Sequence, residues 1–85
     1  MHGPPDRVST AEAIACIRDC AQAGVQVLGV DGFVVAPEGF IAALDLLLDV
    51  SGRNFTVGQA ATEAETFVRS KAAPDVVWEV WTEVS

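Results

Sequence analysis

Residues 25–50 read VQVLGVDGFVVAPEGFIAALDLLLDV, and how this run divides into strands and turns decides the fold. Its first half is rich in β-branched residues, which suit the pleated, half-buried surface of a sheet. Asp31-Gly32 interrupts it with two residues that tolerate positive φ, the signal of a two-residue hairpin turn. The pattern predicts antiparallel strands over 25–30 and 33–36, the second closed by Pro37. The remainder, EGFIAALDLLLDVSG, admits two periods. As a helix it gathers Phe40, Ile41, Leu44, Leu47 and Leu48 on one face with Asp45 and Asp49 opposite, and its Ala and Leu content suits that state. As a strand it turns Leu44, Leu46, Leu48 and Val50 inward and Asp45, Leu47 and Asp49 outward.

The C-terminal run VVWEVWTEVS (76–85) favours the strand. Residues two apart share a face, so Val76, Trp78, Val80 and Val84 point one way while Val77, Glu79, Trp81 and Glu83 point the other. The outward order Asp45, Leu47, Asp49 then repeats the acid, apolar, acid order of Glu79, Trp81, Glu83. A third helix over 40–50 remains the alternative.

Two capping boxes bound the helices. Ser9 with Glu12, and Thr56 with Gln59, have the spacing in which each side chain satisfies the other residue's free backbone N–H. After Ser9, Ala13, Ile14, Ile17, Cys20 and Ala21 follow the 3.6-residue period, so a helix is predicted over about 10–22, stopped by Gly24. After Thr56, Val57, Ala60, Ala61, Ala64, Phe67 and Val68 form a second stripe that ends near Lys71, before Pro74. The expected fold is α+β with the order αβββαβ: a mainly antiparallel sheet of about four strands with both helices on one face. Residues 1–8 are expected to be a disordered arm and 9–85 a single domain. Trp78 then belongs to the core with Ile14, Ile17, Phe67 and Val68, and Trp81 to the uncovered face.

A chain of 85 residues that is 51% hydrophobic folds, and surface scaling implies that folding hides roughly 63% of its unfolded surface. So small a body has little interior for that much apolar content, which points to a dimer or a partner-covered face. Twelve acidic against five basic residues give a net charge of −7 and a pI near 4.3. Nucleic acid and anionic membrane are disfavoured as partners, and a basic protein is the better electrostatic match. MHGPPDRV lacks the succession of a signal peptide, and ALDLLLDV is too short and too charged to span a bilayer, so a cytoplasmic protein is expected.

The chemistry-bearing residues argue against catalysis. The one histidine, His2, lies in the arm, there is no tyrosine, and Cys16 and Cys20 lack the CxxC spacing of redox sites. They read as packing residues, and no metal or other cofactor is expected. The candidate site is the uncovered sheet face: Trp81 and Leu47 as apolar anchors, Asp45, Asp49, Glu79 and Glu83 as an acidic rim. Its occupant is a second copy of the chain or a basic protein. In size, acidity and expected build the chain resembles the small immunity proteins and antitoxins with which bacteria block basic nucleases and toxins. That resemblance implies a non-enzymatic inhibitor and assigns no residue. The other reading is a small-molecule binding domain formed across a homodimer interface.

Overall fold

The computed structural model describes residues 6–83. Helix α1 (Thr10–Ala23) starts at the first capping box: the Ser9 hydroxyl accepts from the Glu12 N–H at 3.1 Å, and the Glu12 carboxylate accepts from the Ser9 N–H at 3.0 Å. It stops at Gly24, whose φ of 72° lets Val25 N–H close back on the Cys20 carbonyl at 2.8 Å. Helix α2 (Val57–Lys71) repeats the box with Thr56 and Gln59 and leaves the helical conformation at Ala72, two residues before Pro74. Both helices lie where their sequence pattern puts them, because capping is settled within four residues of chain.

Strands β1 (Val27–Ala36) and β2 (Gly39–Asp49) follow α1, and β3 (Val76–Thr82) follows α2. They form one antiparallel sheet in the order β2-β1-β3, so the fold is αββαβ with three strands where about four were expected. The missing division is at Asp31-Gly32. Neither residue has positive φ, and β1 runs straight through them; the turn is Pro37-Glu38, with Ala36 paired to Gly39 at φ 128°. Gly32 serves packing instead. A Cβ there would stand 2.7 Å from the Leu46 Cβ and 2.9 Å from Trp78 Cζ3, so the glycine is the notch in which the indole and a leucine meet.

Residues 39–49 are strand, with one irregularity that displaces an expected core residue. Asp31 pairs with Leu47 and Phe33 with Ala42, so four residues of β2, Ala43 to Leu46, stand opposite Gly32 alone. Three extra residues shift the alternation of the strand by an odd number and bend it outward. Leu46 is buried and Leu48 and Val50 lie inward as expected, but Leu44 is 91% exposed at the crest of the bulge.

The core lies between the sheet and the two helices. α1 rests on β3 and α2 on β1, while no Cα of α1 comes within 8 Å of one in β2. Ile17, Val27, Val30, Val68 and Trp78 are fully buried, with Ile14 and Phe67 packed around them. Trp78 meets the Phe67 ring edge-on at 6.1 Å, and its indole N–H donates to the Thr10 hydroxyl at 3.0 Å, so the one polar atom of the ring is satisfied. The helices are tied together by Glu65, which accepts from Arg18 Nε and Nη2 at 2.9 Å each and from Arg69 Nε at 2.9 Å. Of the arm expected over 1–8, residues 1–5 lie outside the described part. Val8 exchanges both backbone hydrogen bonds with Trp78 at 2.8 Å, occupying part of the outer edge of β3.

Candidate functional site

With both helices on one side, no helix or strand among the described residues covers the other side of the sheet. Its side chains fall into rows across the three strands: Asp49, Gly29, Trp81; then Leu47, Asp31, Glu79; then Ala42, Phe33, Val77; and at the far end Phe40 beside Val35. Phe40, Leu47, Val35 and Trp81 are between 40% and 52% exposed on this face.

The two ends of this face differ. At the Phe33–Phe40 end, Arg7 reaches over the sheet: its guanidinium carbon lies 4.6 Å from the Phe33 ring centre and 4.7 Å from that of Phe40. Its Nε is 3.3 Å from Glu79 Oε2. At the Trp81 end no side chain among the described residues covers the surface, and a cleft of about 290 Å³ opens, lined by Leu28, Gly29, Asp31, Leu47, Leu48, Asp49, Ser51 and Trp81. The central strand contributes glycine between Asp49 and Trp81. Gly29 cannot be replaced freely, since a Cβ there would collide with the Leu48 carbonyl oxygen. Asp31 Oδ2 accepts from the Trp81 indole N–H at 3.1 Å and fixes the ring. Asp49 Oδ1 accepts from the Ser51 N–H at 2.9 Å and hydroxyl at 2.6 Å, and these bonds hold its carboxyl below the usual range.

Three of the six residues predicted for the site, Trp81, Leu47 and Asp49, are not merely on the face but adjacent around the cleft or its wall. Asp45 is exposed in the bulge and does not line the cleft, and Glu83 is exposed beyond the end of β3. Glu79 is a correction: it is only 7% exposed, paired with Arg7, and so part of the sheet's own structure instead of an accessible rim. Asp31 was missed. Assigned to a turn, it had no face; on a continuous strand it alternates with Gly29 and Phe33 and lands between Leu47 and Glu79.

Cys16 and Cys20 are free; Cys16 is exposed, Cys20 is partly buried against the core, and burial together with the neighbouring Cys16 and Asp19 pushes the Cys20 thiol up to about 11. Such a thiol is a poor nucleophile at neutral pH. Among the described residues no three His, Cys, Asp or Glu side chains are grouped to hold a metal ion, and no helix is long and apolar enough to cross a membrane. No family model, curated protein or solved structure matches the chain.

Proposed function

We propose that this chain is a non-enzymatic protein-interaction domain, an inhibitor or immunity-type binder whose bare sheet face engages a basic protein. The observation that carries the reading is the asymmetry of the sheet. One side is sealed by two helices, while the other presents Trp81, Leu47, Val35 and Phe40 beside Asp31 and Asp49. Aromatic anchors with a charged surround are the composition of binding surfaces, and a net charge of −7 steers a cationic partner. Two unpaired cysteines suit a cytoplasmic setting. The test is capture from native host extract on the immobilised chain, with Trp81→Ala as the site variant and Thr62→Ala on the exposed side of α2 as control. A basic protein retained in stoichiometric amount by the wild type and control, lost with Trp81→Ala and released by salt, supports the reading. Retention indifferent to Trp81 overturns it.

A second reading, self-association, is favoured by β2. Four large apolar side chains of this one edge strand, Phe40, Ile41, Leu44 and Leu47, are 46–91% exposed, and among the described residues its outer edge has no strand beside it. A second copy adding its own β2 would pair that edge and cover Ile41, which the helices leave open; a small molecule bound across such a dimer is the ligand-binding form of this reading. Sedimentation at micromolar concentration should then show twice the chain mass, returning to one chain in Ile41→Lys. A monomer at every concentration excludes it.

A further inference from the structure

We infer that the cleft between Trp81, Gly29 and Asp49 is a seat for an arginine side chain presented by the partner. This rests on the preceding reading for its setting, while its chemistry comes from the cleft itself. Asp31 sits opposite Leu47, and Asp49 opposite Gly29, so the two carboxylates are diagonal neighbours across β1 and β2, a placement that sets side chains about 7–8 Å apart. A planar guanidinium placed between them meets a carboxylate on either side, which the compact ammonium of lysine cannot do at once. The acceptors are available. Trp81 uses Asp31 Oδ2, and Ser51 uses only Asp49 Oδ1, which leaves Asp31 Oδ1 and Asp49 Oδ2 without a protein donor among the described residues.

The walls suit the rest of the side chain. Leu28 and Leu47 offer apolar surface to an aliphatic stem, and the indole of Trp81, fixed by its bond to Asp31, offers a ring face to the cation. At about 290 Å³ the space is at the lower limit of small-molecule pockets and matches one side chain better than a larger ligand. No basic side chain among the described residues lines it. Arg7 is engaged at the opposite end of the face, and Arg53, which acts on Asp49 only through its field, lies 6.0 Å from the Phe55 ring. The cleft therefore carries carboxylates that no basic side chain among the described residues contacts, beside the aromatic ring that a guanidinium stacks on.

The probe is the tripeptide acetyl-Val-Arg-Val-amide, titrated into the ¹⁵N-labelled protein, with citrulline and lysine in place of arginine as controls. The expected result is a saturable shift of the Trp81 indole N–H and Gly29 amide signals, with the Trp78 indole unmoved as internal reference. Citrulline, which keeps the shape and loses the charge, should bind at least tenfold more weakly. Lysine should be weaker by fivefold or more. Asp31→Asn and Asp49→Asn should each weaken arginine at least fivefold, the second variant guarding against any loss of ring orientation in the first. A linear response, equal binding of citrulline or lysine, or indifference to both variants overturns the assignment. Protein capture through Trp81 without arginine saturation removes the arginine seat and leaves the interaction face standing. Arginine saturation without any captured basic protein establishes the seat and removes the proposed partner class.

Discussion

Trp78 and Trp81 stand three residues apart on β3, and each faces a glycine of β1 across the strands: Gly32 for Trp78, Gly29 for Trp81. On the helix side the space above Gly32 is closed by Leu46 and the indole itself, with Phe67 against the ring, and Trp78 has no exposed surface. On the bare side a Cβ on Gly29 would run into the Leu48 carbonyl oxygen of β2, the cleft opens beside it, and Trp81 is 40% exposed. The two glycines thus serve differently: Gly32 makes room for the side chains of a packed core, and Gly29 makes room for the backbone of β2 beside an open cleft. What differs is the third layer. Helices supply filling side chains to the first, and none of the described residues supplies them to the second.

The largest effect should come from emptying the filled notch. Trp78→Ala removes the ring around which α1, α2 and the sheet meet and orphans the Thr10 hydroxyl, so a loss of about 3–5 kcal/mol is expected in urea unfolding. For an 85-residue domain that approaches total stability. Filling the notch from the other strand should cost less. Gly32→Ala pushes a methyl against Leu46 and Trp78, a strain of about 1–3 kcal/mol. A cost under about 0.5 kcal/mol would mean that the bulge in β2 yields readily and that Gly32 is not what seats the ring.

Trp81→Ala is the counterpart on the bare side, where about 1 kcal/mol of folding stability is expected, because the ring is already half in water and loses one exposed hydrogen bond. Its effect belongs to binding, where truncating an anchor costs about 2 kcal/mol or more. Iodide should quench Trp81 strongly and Trp78 weakly. If the two alanine variants destabilise alike, the comparison fails and the outer face is as structural as the inner.

The part of this arrangement legible in the sequence is the part settled locally. Ser9 with Glu12 and Thr56 with Gln59 fix the helix starts within one turn, and alternation in 76–82 assigns one tryptophan to each face. Asp31-Gly32 misled because its local chemistry does favour a turn, while the deciding demand, room for Trp78 and Leu46, comes from residues 46 and 14 positions away in the chain. The same long-range origin hid Asp31 from the candidate site and left Leu44 in the predicted core. Glu79 was misplaced for another reason: alternation gives its face correctly, but only the fold brings Arg7 across to neutralise it. Exposure on an open face is therefore not readable from strand parity alone.

The smallest effect expected is electrostatic, and it separates the two layers by pH. Glu65, hydrogen-bonded first by Arg18 and then by Arg69, has its carboxyl lowered from 4.5 to about 2. A carboxyl lowered on folding contributes stability that is present above its ordinary value and is lost as pH falls through the folded value, so this contribution should disappear between about pH 4.5 and 2. Glu65 is partly open to solvent, so the effect is small, but it acts where α1 meets α2 and therefore on the sealed side. Asp49, lowered by Ser51, loses its contribution in the same direction on the bare side. Melting temperature measured from pH 6 to pH 2 should fall less steeply in Glu65→Gln than in the wild type. Asp49→Asn should flatten the slope less, because one serine holds that carboxylate where two arginines hold Glu65. An acid slope unchanged by Glu65→Gln would show that the arginine pair does not clasp the helices in solution, and the sealed layer would then rest on apolar packing around Trp78 alone.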